Sequence, residues 1–128
     1  MAWTLRDRYS WLPFARPEIA QVSENQCLVV LCTCPGGEPA ARLASALVEA
    51  RLAACVNHVP GLVSTYRWQG EVRHSNEALL IIKTTRKRLA ALSTQIRALH
   101  PYELPEIIAV PVLGGLEEYL DWIRASVA

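Results

Sequence analysis

The regular part of the chain begins with an apolar run over residues 27–34, CLVVLCTC, which Pro35, Gly36 and Gly37 interrupt. Aliphatic and β-branched residues favour extended backbone, and proline with glycine ends it. The run therefore predicts a first, buried β-strand. Pro39 suits a first helical turn, and apolar residues then recur at the spacing of one helical face: Leu43, Leu47, Ala50 and Ala54. This second pattern predicts the first helix.

Two more strands are predicted to form a long hairpin. After Pro60-Gly61, residues 62–68 alternate between two faces in the order LVSTYRW, as in a half-buried strand. Gln69-Gly70 suits a tight connection into a third strand. The inner part of that strand, residues 78–82, is apolar on both faces, which is typical of a strand covered on two sides.

A second helix, a fourth strand and a last helix complete the pattern. Thr85 can cap the second helix, and His100 ends it because the residue before a proline avoids the α region. Residues 107–112 are apolar, and Pro111 cannot donate a hydrogen bond, so this strand belongs at an edge or ends there. The last helix is predicted to open at Gly114-Gly115 and carries four apolar residues on one face: Leu116, Tyr119, Leu120 and Ile123.

The order β-α-β-β-α-β followed by a helix predicts an α+β domain over residues 27–128, a ferredoxin-like sandwich with an antiparallel sheet. Right-handed connections put both crossover helices on one face of that sheet. Strands one, three and four are apolar on both sides, and a single extra helix cannot cover the other face. A second copy of the chain is the simplest cover, so the pattern predicts a homo-oligomer of unspecified number.

The N-terminal segment, residues 1–26, shows neither a strand nor a helix period, although it contains Trp3, Trp11 and Phe14. Two interpretations stay open: a loose extension, or an aromatic arm that docks on its own or a neighbouring subunit. Arg, Asp or Pro interrupts its apolar residues, which is not typical of a signal peptide. We therefore expect a cytoplasmic protein.

Composition narrows the function classes. The chain has 128 residues, of which 52% are hydrophobic, enough to bury a core without disulfides or a structural metal. Its formal net charge is +1 with both signs interspersed, so we expect no nucleic-acid partner. No apolar run is long enough to span a bilayer, which predicts a soluble protein without a membrane partner. The four cysteines are expected to be reduced thiols.

Several dispersed motifs occur together, in this order: VVLCTCP, RLAACVNHVPG, STYRWQGEV, IIKTT, HPYELPEIIAVPV and YLDWI. As a set they resemble the CutA divalent-cation tolerance family from about Cys27 to the C-terminus. The resemblance implies a cytoplasmic, non-enzymatic homotrimer of ferredoxin-like subunits that binds copper or another divalent cation. It also implies a shape similar to the PII signalling trimers, so a PII-like regulatory or scaffolding trimer is the alternative function.

The resemblance implies that Cys32 and His100 ligate the metal. Cys32 and Cys34 share one face of the first strand, and thiolates suit copper or zinc, but two small buried hydrophobes in a central strand explain the pair as well. His100 can equally be a helix C-cap. Because Leu99 stands where some family members carry a second histidine, Glu103 and Glu106 are predicted as substitute oxygen donors.

The same motifs contain an aromatic set with one lysine: Tyr66, Trp68, Lys83, Tyr102 and Trp122. These side chains are predicted to line an inter-subunit pocket for an anionic small molecule. Interface packing is the alternative, since Tyr and Trp combine large buried area with a polar tip. The sequence shows no glycine-rich phosphate loop and no visibly paired nucleophile and base, so an enzyme is not expected.

Overall fold

The computed structural model describes residues 22–128. Its elements, in chain order, are β1 (Cys27–Cys34), α1 (Glu38–Glu49), β2 (Cys55–Trp68), β3 (Glu71–Thr85), a 3₁₀ turn (Arg86–Arg88), α2 (Leu89–Leu99), β4 (Ile108–Pro111) and α3 (Glu117–Ser126). The strands form an antiparallel sheet in the order β2-β3-β1-β4. This confirms the predicted ferredoxin-like order with an extra C-terminal helix. Most of the predicted N-terminal extension, residues 1–21, lies outside the described residues.

Helix α1 is shorter than the apolar spacing predicted. It ends at Glu49, and Arg51 adopts a left-handed backbone with φ 58°, which turns the chain out of the helix. Ala54 is therefore not on the helix, and its amide donates to the Lys83 carbonyl at 2.8 Å. The prediction that Ala54 continues the helical stripe was wrong, because a local turn overrides the periodicity of the side chains.

Strand β2 is longer than predicted, since it begins at Cys55 and passes through Pro60-Gly61. The pairing register with β3 shifts between Val59 and Leu62, which marks a bulge, and Gly61 has φ 76° there. A bulge on an edge strand tolerates both the missing proline amide and the positive φ of glycine. The two residues that were expected to precede the strand thus lie inside it.

The second helix ends as predicted and begins differently. His100 has extended backbone, with φ −77° and ψ 137°, directly after α2 and before Pro101. At the other end the Thr85 hydroxyl makes no capping hydrogen bond, and the chain first forms the 3₁₀ turn. The predicted Thr85 cap was therefore wrong. Helix α3 begins at Glu117, with Glu118 also in its first turn, where acidic side chains complement the helix dipole.

One hydrophobic core lies between the sheet and the two crossover helices. Alternate residues of β1 and β3 point to this side, and the side chains of Val30, Cys32, Leu80 and Ile82 are fully buried. Helices α1 and α2 contribute four apolar residues to the same cluster: Leu43, Leu47, Leu92 and Ile96. Both crossover helices thus pack on one face of the sheet, as predicted.

The opposite face of the sheet, here called the open face, is covered only in part. Helix α3 buries one end of it in a second cluster of Cys27, Ala54, Leu120, Ile123 and Val127. Beyond that cluster the β4 side chains of Ile108 and Val110 are 51% and 48% exposed. One helix does not cover this apolar face in a single subunit. No helix among residues 22–128 is both long and apolar enough to cross a membrane.

Candidate functional site

His100 is buried at the end of α2, and both of its ring nitrogens are hydrogen-bonded. Nε2 lies 2.8 Å from the backbone carbonyl oxygen of Thr33, and Nδ1 lies 3.1 Å from the backbone nitrogen of Tyr102. A carbonyl only accepts and a backbone amide only donates, so Nε2 carries the proton and Nδ1 accepts. The geometry therefore specifies a neutral imidazole whose two nitrogens already have partners.

The position of His100 follows from the end of a strand pairing. Strand β4 pairs with β1 only from Leu28 to Leu31, so the Thr33 carbonyl lies beyond the last β4 partner. An unpaired backbone carbonyl in a buried position costs free energy comparable to a lost hydrogen bond. His100 supplies the missing donor and so closes the edge of β1 where β4 stops.

Cys32 lies on the core side of β1 and is fully buried. Burial raises the pKa of its thiol to about 12, with further contributions from Cys34, Glu106 and Glu77. Because the thiolate is the form that binds metals, this thiol would have to lose a proton that the fold holds firmly. Burial also raises the pKa of Cys34.

The four predicted metal donors do not form a built site within one subunit. Glu103 and Glu106 lie in the exposed loop between α2 and β4, whereas Cys32 faces the core and His100 bonds the backbone. Among residues 22–128 no group of three or more His, Cys, Asp or Glu side chains is arranged to hold a metal ion. The donors of a single subunit therefore do not fit a preformed copper centre.

Burial makes a direct prediction for the Cys32 thiol. With its pKa raised to about 12, this thiol is almost entirely protonated at about pH 8, and its full burial shields it from reagents in the folded protein. We expect iodoacetamide to leave Cys32 unmodified in the native protein and to alkylate it in guanidinium chloride, as read by peptide mass spectrometry. Rapid alkylation of native Cys32 would contradict this burial.

The predicted aromatic set is divided between two places in the subunit. Tyr66, Trp68 and Tyr102 line one cleft of about 770 Å³. Lys83 lies at the other end of β3, opposite Val29 of β1, and Trp122 stacks on Tyr119 of α3 with ring centroids 5.5 Å apart. Within one subunit the cleft therefore contains three of the five residues predicted to line a pocket. Lys83, the one cation among the five, lies outside the cleft.

The cleft forms where the hairpin extends past the sheet. Strand β1 ends at Cys34, opposite Ala78, so residues 71–77 of β3 have no strand on that side. The loop before β4 lies beside this stretch, and the Tyr102 hydroxyl donates to Glu77 Oε2 at 2.9 Å. The cleft lies between the hairpin and the loop, and its lining comes from both and from β1: Thr33, Ser64, Thr65, Tyr66, Trp68, Arg73, Glu77 and residues 102–106.

Glu77 is the residue of this cleft that sequence reasoning missed. Its side chain lies on the open face of β3 and is only 6% exposed. Burial, together with the hydrogen bond to Glu77 and its charge, raises the pKa of Tyr102 to about 12, so that the phenol stays a donor. The only available signal was a glutamate directly before the apolar run of a strand, and such a residue is usually solvated.

Known proteins resemble this chain over nearly the whole of its folded domain. Residues 28–126 match the family described as "CutA1 divalent ion tolerance protein". The "Divalent-cation tolerance protein CutA" of Thermus thermophilus is 57% identical over 98 residues, which cover 77% of this chain and 95% of the relative. The "Protein CutA, chloroplastic" of Arabidopsis thaliana is 46% identical over 99 residues, 77% of this chain but only 54% of the relative. The chain thus spans about half of that plant protein.

A solved structure agrees with the fold. The divalent cation tolerance protein (Cut A1) from Thermus thermophilus superposes with a TM-score of 0.78 and 54% sequence identity, covering 80% of this chain and 99% of the other. The names of these proteins favour divalent-cation tolerance over the PII-like alternative.

Proposed function

Because the chain belongs to the CutA1 divalent ion tolerance family, we propose that it is a non-enzymatic homotrimer that takes part in the response to divalent metal ions. Copper is the expected cation. The Thermus thermophilus relative is named for tolerance of divalent cations, and the proposal extends that role to this chain. A cytoplasmic location stays a prediction, since the Arabidopsis thaliana relative is named chloroplastic.

The open face is the observation that supports assembly. Ile108 and Val110 leave about half of their surface in water in one subunit, and Leu31 and Ile81 lie beside them on the same face. Removing apolar surface of this kind from water lowers the free energy and so stabilises an assembly that buries it. The hairpin beyond Cys34 also offers unpaired backbone groups, to which a neighbouring subunit can add a strand.

Copper binding is proposed with the predicted donors Cys32, His100, Glu103 and Glu106. Thiolate and imidazole are ligands that copper prefers. In the described geometry, ligation requires Cys32 to lose its proton and His100 to give up one of its two hydrogen bonds. We therefore expect copper to bind more weakly than at a preformed site, because part of the binding free energy is spent on these changes.

Calorimetric titration with copper tests the donor assignment. We expect the double variant Cys32→Ala, His100→Ala to bind at least about tenfold more weakly than the wild-type oligomer, since each change removes a preferred ligand. His74→Ala is the matched control, because His74 is exposed on the hairpin and far in sequence from the predicted donors. Unchanged affinity in a double variant that keeps its circular dichroism and its oligomeric mass would show that the metal binds elsewhere.

A further inference from the structure

The cleft beside the hairpin carries an excess of negative charge. Its charged lining residues are three glutamates and one arginine: Glu77, Glu103, Glu106 and Arg73. The arginine is already engaged, because Arg73 Nη2 lies 3.5 Å from Glu71 Oε2. Lys83, the cation that the sequence suggested for this pocket, is absent from the lining. The electrostatics of the cleft therefore oppose an anionic ligand.

Glu77 is the strongest single indication of a ligand. Its side chain is more than nine-tenths buried, and its carboxylate accepts one hydrogen bond from Tyr102. Among residues 22–128 no Lys, Arg or His lies within ion-pair distance of it. A buried carboxylate without a countercharge is costly, and one hydroxyl compensates only part of that cost. Because Glu77 lines the cleft, a cation bound there would supply the missing partner.

The walls of the cleft favour an organic cation over a bare metal ion. Tyr66, Trp68 and Tyr102 present aromatic surface, which attracts ammonium and guanidinium groups and also packs against carbon chains. The described residues offer no group of three or more ligands for a metal. The volume of about 770 Å³ lies in the range of roughly 300–1,000 Å³ that is usual for small-molecule sites.

We propose that this cleft binds a small organic cation, an amine or guanidinium compound, with its charged group at Glu77 and its carbon chain against Tyr66 and Trp68. This ligand is a cation, whereas the aromatic set with Lys83 suggested an anionic ligand. The proposal does not need copper to be bound by Cys32 or His100, which do not line the cleft. The other two predicted copper donors, Glu103 and Glu106, do line it, so cation titrations are made in the presence of a chelator.

Titration calorimetry at low ionic strength on the purified full-length oligomer tests the sign of the ligand. Three probes share a five-carbon chain and differ in charge: cadaverine is a dication, pentane-1,5-diol is neutral and glutarate is a dianion. Agmatine adds a guanidinium group to the series. We expect cadaverine or agmatine to bind at least about tenfold more tightly than the diol, and glutarate not to bind. The proposal would be overturned if cadaverine and agmatine bound no more tightly than the diol. It would also be overturned if glutarate bound most tightly of the probes.

Variants test the site. Glu77→Gln preserves size and removes the charge, and we expect it to weaken cation binding at least about tenfold. Trp68→Leu, on the partly exposed hairpin, is a second variant with little effect on the core, and we expect it to weaken binding as well. Glu38→Gln is the control, since Glu38 is an exposed carboxylate on α1 outside the cleft. Equal affinities in all four proteins would show that the cations bind elsewhere.

A neighbouring subunit's side chain filling the cleft would abolish cation binding in the wild type and would equally overturn the proposal.

Discussion

Replacing Val110 by glutamate is expected to convert the proposed homotrimer into monomers. Val110 lies on β4 opposite Val29, in the part of the open face that α3 leaves uncovered. In an isolated subunit a glutamate there would point into water at little cost, because the valine is already 48% exposed. In an apolar contact between subunits, the same carboxylate would lose its hydration without gaining a partner.

Sedimentation velocity at micromolar concentration measures this effect directly. Val48→Glu is the matched control, since Val48 is 41% exposed on α1, on the helical side of the molecule. We expect the Val48 variant to sediment with the mass of the wild type and the Val110 variant with the mass of one chain. A monomeric wild type, or a Val110 variant of unchanged mass, would contradict assembly through the open face.

The fold could be predicted from the sequence where one segment carries its own pattern. The run before Pro35 defines β1, and Pro101 ends α2, because both signals depend on residues adjacent in the chain. Two of the three boundary errors, the end of α1 and the start of β2, have the opposite origin. The chain turns out of α1 at Arg51, a position where no glycine signals a left-handed backbone in the sequence. The bulge at Pro60-Gly61 depends on pairing with β3.

The candidate site was less predictable because its contacts join distant parts of the chain. His100 bonds Thr33, 67 positions away, and Tyr102 bonds Glu77, 25 positions away. The family resemblance grouped Lys83 with Tyr66 by motif, although six residues of extended strand, about 20 Å, separate Lys83 from Glu77. Residue type alone could suggest which side chains matter, but only the register of the strands shows which of them share a cleft.

His100→Ala is expected to lower the free energy of unfolding by about 2–4 kcal/mol, whether or not any metal is present. The change removes two hydrogen bonds and leaves the Thr33 carbonyl at the edge of β1 with only a weak thiol donor, Cys32 Sγ at 3.7 Å. It also frees the backbone amide of Tyr102, whose hydroxyl holds Glu77, so the loop beside the cleft should loosen as well. The effect would follow from the edge-closing role of His100 alone.

Denaturant unfolding in the presence of a chelator separates this role from metal ligation. All proteins are compared at one concentration, because the proposed assembly would contribute to stability. His74→Ala is the control, since the exposed His74 side chain bonds only Thr65 within residues 22–128, and we expect a change within about 0.5 kcal/mol. His100→Gln can still donate to Thr33 and should lie between the wild type and His100→Ala. If His100→Ala unfolds at the same denaturant concentration as the wild type without metal, the two hydrogen bonds of the imidazole contribute little to stability. The edge-closing role of His100 would then be wrong.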